Sequence, residues 1–83
     1  MYKITKTIND YETIALVFDD VAKATEVFHD LQYDEYIRFT NFYESGINRE
    51  TINRTIDHNV VYKEYKISVP TFSVTILLTY IKD

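Results

Sequence analysis

Cysteine is absent from this chain, and glycine and proline occur once each, at Gly46 and Pro70. Each scarcity closes off a class of answers. Without cysteine there is no disulfide framework and no thiolate metal site, so the core must come from packing alone; the same lack fits a reducing compartment. A phosphate-cradling loop needs several glycines so that backbone amides can approach the ligand, and a single glycine excludes both the P-loop and the dinucleotide fingerprint. The longest strongly apolar stretch, Ser73 to Ile81, falls far short of the ~20 residues of a membrane-spanning helix. No basic, apolar leader is visible, since Met1 runs directly into Tyr2-Lys3-Ile4-Thr5-Lys6. The expectation is a soluble cytoplasmic protein with no membrane contact.

What the chain has instead is aromatic side chains, with eight tyrosines and five phenylalanines among 83 residues. The length suits one compact domain spanning residues 1–83, which buries roughly 60–65% of the surface its unfolded chain exposes. No Gly/Ser run, proline-rich segment or low-complexity tail marks a linker.

Residues 2–8 alternate weakly and end at Asn9-Asp10, a turn pair, which predicts a first strand and hairpin. Residues 13–18 (Thr-Ile-Ala-Leu-Val-Phe) are apolar on both faces, the pattern of a central strand. Asp19-Asp20 then stops the strand and opens a helix, because either carboxylate can cap free amides at the positive end of the helix dipole. Val21, Ala24, Phe28 and Leu31 recur at helical spacing and predict a helix over about residues 20–32, packed on one face of the sheet. Residues 35–43 read as a third strand, followed by a turn at Glu44-Ser45-Gly46. Residues 47–56 nearly repeat with a period of five, which matches neither helix nor strand. They are expected to form an irregular or edge strand, with a short helix as the alternative. Asp57-His58-Asn59 is a turn signal. In the next strand Val61, Tyr65, Ile67 and Val69 should share one face, and Pro70 implies a turn or an edge bulge. The last strand is the clearest, with Phe72, Val74, Ile76, Leu78 and Tyr80 alternating against Ser73, Thr75, Leu77 and Thr79. The expected fold is α+β: a mostly antiparallel sheet of five or six strands with one helix, ordered ββα and then three or four strands. If no second layer covers the other face of the sheet, its aromatics face water or a partner.

Catalytic chemistry finds little to work with. His29 and His58 lie too far apart for a short-spaced zinc pair and would need Asp30 or Asp57 to join them in space. Asp30 to Glu35 has acids but not the central glycine of a calcium loop. Ser45, His58 and Asp57 are the right types for a triad, but nearness in sequence says nothing of triad geometry. The pairs Asp19-Asp20 and Asp34-Glu35 are explained locally, as a helix start and a solvated helix exit. Asn53-Arg54-Thr55 matches a glycosylation acceptor with no secretory leader to give it meaning. The residues point to a protein that is not an enzyme and carries no cofactor or metal.

Charge is more informative. Residues 1–44 hold nine acids and four bases, whereas residues 45–83 hold four acids and five bases. Between Asp19 and Glu35 six acids oppose only Lys23, so the helix and its flanks present a negative face. Such a face is steered toward a basic groove of the kind built for phosphates. Tyrosine combines a large ring with a polar tip and suits an interface. The candidate protein-binding residues are Asp20, Glu26, Asp30, Tyr33, Asp34, Glu35, Tyr36 and Tyr43. The alternative is single-stranded nucleic acid held by Arg49, Arg54, Tyr62, Lys63, Tyr65 and Lys66, where bases and rings interleave. Glu50, Asp57 and Glu64 among them, and a pI near 5.0, weigh against a basic footprint. Open sheet edges also allow self-association into a homo-oligomer or a structural assembly.

The chain favours Ile, Tyr, Asn, Lys, Asp and Thr, residues with A/T-rich codons. In size, acidity and composition it resembles the small acidic accessory proteins of phages and mobile elements. That resemblance implies an inhibitor of a host defence or nucleic-acid-processing protein, in the manner of an anti-CRISPR.

Overall fold

A computed structural model of the chain describes residues 1–39, 47–50, 54–56, 58–69 and 72–81. It is an α+β fold with one helix and an antiparallel sheet. The strands are β1 (Tyr2–Ile8), β2 (Tyr11–Phe18), β3 (Ile47–Glu50), β4 (Thr55–Ile56), β5 (Asn59–Val69) and β6 (Phe72–Tyr80), and α1 (Val21–Phe39) follows β2. Four long strands form the body of the sheet in the order β2-β1-β6-β5. The two short ones, β3 and β4, pair with the outer flank of β5.

The first hairpin forms where its turn chemistry requires. Asn9 and Asp10 both have positive φ, 49° and 70°, the backbone of a type I′ turn, which asparagine and aspartate tolerate better than most residues. Asn9 also ties the hairpin to β6: its amide donates to the Ser73 carbonyl at 3.0 Å, and its Oδ1 accepts from the Ser73 amide at 2.9 Å.

The core lies between α1 and the middle of the sheet. Ile4, Tyr65, Ile67, Val74, Ile76 and Leu78 pack against Ala24 and Phe28 of the helix. Each fully buried side chain of the Ile, Leu or Phe type contributes about 1.5–3 kcal/mol. The alternation expected for the last strand is present: Val74, Ile76 and Leu78 are buried, and β6 sits in the centre of the sheet.

Four expectations are corrected. The helix does not end near residue 32 but continues to Phe39, and residues 35–39 of the expected third strand belong to it. One turn beyond Leu31 the core line is occupied by Glu35, a charged residue that hides the continuation from a search for apolar spacing. The strand preference of Tyr36, Ile37 and Phe39 is a weak local bias, and the turn is instead anchored by the buried Glu35. Residues 40–43, the turn at Glu44-Ser45-Gly46 and Pro70 lie outside the described residues.

The apolar segment 13–18 is an edge strand rather than a central one, because among the described strands β2 pairs with β1 alone. A bulge between Val61 and Lys63 shifts the register of β5, so Val61 lies opposite Thr79 while Tyr65 and Ile67 lie opposite Ile76 and Val74. Directly opposed residues share a face, so Val61 falls on the other face from Tyr65 and Ile67. Finally, among the described residues that the register assigns to the face away from α1, none is aromatic. By register that face carries Lys3, Thr5 and Thr7 from β1, Ser73, Thr75, Leu77 and Thr79 from β6, and Ala15 and Val17 from β2.

Candidate functional site

α1 starts as its sequence dictates. The Asp20 carbonyl accepts from Ala24 N at 3.0 Å, and Asp20 Oδ1 accepts from Ala22 N at 2.9 Å, so its carboxylate satisfies an amide the first turn leaves open. That carboxylate is therefore occupied by capping. It lies roughly 20 Å along the axis from Asp34, at 1.5 Å per residue.

Successive residues of a helix turn by about 100°, which sorts the side chains into two arcs. Ala24, Val27, Phe28, Leu31 and Glu35 face the sheet. Glu26, Asp30, Tyr33, Asp34 and Ile37 fall on the opposite arc, at spacings i, i+4, i+7, i+8 and i+11, and all five are exposed. Tyr36 flanks this row and is exposed as well. Tyr33 keeps 64% of its surface open to water in the middle of three acids. The result is a ridge of large apolar side chains set among carboxylates.

Glu35 does not belong to that ridge. It is buried under the helix, where one carboxylate oxygen is ion-paired with Lys6 of β1. Its other oxygen, Oε2, is buried without a hydrogen-bond partner among the described residues. The reason is the 3.6-residue repeat: Asp34 and Tyr36 on either side turn outward and leave Glu35 aimed at the sheet. A contact role for Glu35 is thereby corrected to a structural one. Tyr43 lies outside the described residues.

The alternative set is spread over both faces of the sheet. Tyr65 is buried in the core, which removes it as a stacking platform. Lys63 Nζ approaches His29 Nε2 at 3.3 Å, and His29 Nδ1 lies 3.0 Å from Gln32 Oε1. An ammonium can only donate and a carboxamide oxygen can only accept. Both contacts are met when the ring accepts at Nε2 and donates from Nδ1. Arg54 donates to Glu64 at 2.6 Å, on the face away from the helix. Lys66 is exposed there too, opposite Thr75. Of Arg49 only the backbone is described, opposite Glu64 in the β3–β5 pair. Among the described side chains these residues form no continuous basic, aromatic surface.

One aromatic cluster escapes a reading of the sequence alone. Tyr2 makes edge-to-face contacts with Tyr80 at 5.2 Å and with Tyr62 at 6.5 Å between ring centroids. With Val60 they line a shallow groove of about 290 Å³ at one end of the sheet. Only the pairing of β1 with β6 brings Tyr2 and Tyr80 together, so no local signal could have found them.

Among the described residues no three His, Cys, Asp or Glu side chains gather as a metal site. No helix among them is long and apolar enough to cross a membrane. Compared with protein-family models, with curated proteins and with solved structures, the chain matches none.

Proposed function

We propose that this protein is a non-catalytic binding module that presents the outward ridge of α1 to a protein partner with a basic groove. The observation that carries the reading is the exposure of Tyr33 and Ile37 in one row with Glu26, Asp30 and Asp34. Large side chains held open on a rigid helix supply contact area at little entropic cost, because the backbone beneath them is already ordered. The surrounding carboxylates speed encounter with a positive surface and reject acidic competitors. A groove built for phosphate groups has that character. Within this reading the partner is a host defence or nucleic-acid-processing protein, and the module inhibits it by occupying the site, in the manner of an anti-CRISPR.

The test uses two variants that leave the core alone, Asp30→Lys/Asp34→Lys and Tyr33→Ala. Each is compared with the parent chain as bait in a bacterial lysate, with and without nuclease. The expected result is one near-stoichiometric protein captured by the parent after nuclease treatment and lost with either folded variant. Capture that persists in both folded variants, or that disappears with nuclease, would sink the reading.

A further inference from the structure

The two flanks of the sheet are not alike. The outer side of β5 is partly occupied by β3 and β4, whereas among the described residues no strand neighbours the outer side of β2. A free edge is a row of open amides and carbonyls, and proteins usually blunt it with lysine, proline, an inward charge or a covering element. Between Thr13 and Phe18 the sequence is Thr-Ile-Ala-Leu-Val-Phe, with no lysine, proline or charge, and no described strand pairs with its outer side. The one irregularity, a register shift between Lys6 and Thr7, lies toward the Glu12 end and leaves Ile14–Phe18 in regular pairing with β1. Apolar side chains are open on both faces of this edge: Leu16 on the helix side, and Val17, 54% exposed, on the other.

The charges at its ends say what fits. Asp10 and Glu12 stand at one end and Asp19 and Asp20 at the other, all exposed. A second copy of this chain is a poor occupant. Antiparallel pairing about Ala15 would set Asp10 against the other copy's Asp20, and parallel in-register pairing would stack every acid on itself. Like charges placed across a strand pair are destabilising. The complementary occupant has cations where β2 has anions.

We propose that the β2 edge is a strand-addition site for an extended segment of another protein, apolar over about six residues and carrying Lys or Arg at each end. The backbone ladder supplies affinity, Leu16 and Val17 give the added strand an apolar neighbour on each face, and the terminal acids set its register. This surface is separate from the α1 ridge and does not depend on it.

The probe is a synthetic peptide of about ten residues, with about six Val and Ile residues flanked by two lysines at each end. The control has the same centre flanked by glutamates. Binding is followed by amide chemical shifts and hydrogen exchange on the intact chain. The expected result is slowed exchange along Thr13–Phe18 with the lysine peptide, at least about tenfold tighter binding than the glutamate peptide, and a difference that shrinks in ~0.5 M salt. Val17→Lys, on the face away from the helix, should stay folded and lose the lysine peptide; Ala15→Lys serves equally if it does not fold. Equal binding of the two peptides, or no protection of β2, overturns the proposal. So does a concentration-dependent mass of the chain alone with those same amides protected, which would make a second copy the occupant.

Discussion

Two buried carboxylates, one on each face of the sheet, show how differently the same pairing can act. Glu35 lies in the helix–sheet interface, and its partner Lys6 is only 12% exposed, so both ions have left water. Glu64 is also buried, but its partner Arg54 is 41% exposed and keeps much of its hydration. The first pair is held in surroundings that favour neither charge alone, and it pins α1 to β1 at one height. The second clasps Arg54, the residue before β4, onto β5, next to the backbone bond from Val61 N to the Arg54 carbonyl. Burial of the acid is common to both. What separates them is how much water the cation retains, because that sets the penalty when the partner is removed.

The largest effect should come from Lys6→Met, which leaves the Glu35 carboxyl buried without its cation. A loss of about 3–5 kcal/mol is expected in urea unfolding. That is a large share of the roughly 4–12 kcal/mol available to a domain of this size. The double variant Lys6→Met/Glu35→Leu should recover most of that loss, because an apolar pair suits the site. If the double variant is as unstable as the single, the account of Glu35 fails. Arg54→Ala should cost less, about 1–2 kcal/mol, since water can reach the carboxylate it leaves; a loss equal to that of Lys6→Met would erase the contrast between the two faces. Asp20→Ala removes a cap at a solvent-exposed helix end and should cost about 1 kcal/mol in thermal unfolding. Smallest of all, Asp30→Lys/Asp34→Lys should shift stability by no more than about 0.5 kcal/mol. Adding Glu35→Lys to that pair should unfold the chain, which would separate the ridge from the core line one residue away.

These carboxylates also mark where sequence reasoning reaches and where it stops. The outward acids Glu26, Asp30 and Asp34 and the cap at Asp20 are local features, set by helical spacing and by position after a strand. The alternation of β6 and the turn at Asn9-Asp10 are local too. Glu35 is not, because its place depends on Lys6, twenty-nine residues earlier, presenting an ammonium at the right height on β1. Without that partner a glutamate one turn after Leu31 reads as the end of the helix. The edge position of β2 was hidden for a related reason. Apolar residues on both faces normally signify cover on both sides, and only the sheet order shows that this strand has a single neighbour. The β5 bulge, which sends Val61 to the other face, leaves no trace in the alternation.

The pairing of β1 with β6 has a consequence for how the chain comes together. Asn9 meets Ser73 across 64 residues, and Thr79 donates to the Lys3 carbonyl across 76. During synthesis the first hairpin and the helix emerge long before the strand that carries the core residues Val74, Ile76 and Leu78. Closing so long a loop before the contacts form slows folding, toward milliseconds to seconds rather than microseconds. The nascent chain must therefore wait with its core open until β6 slides between β1 and β5.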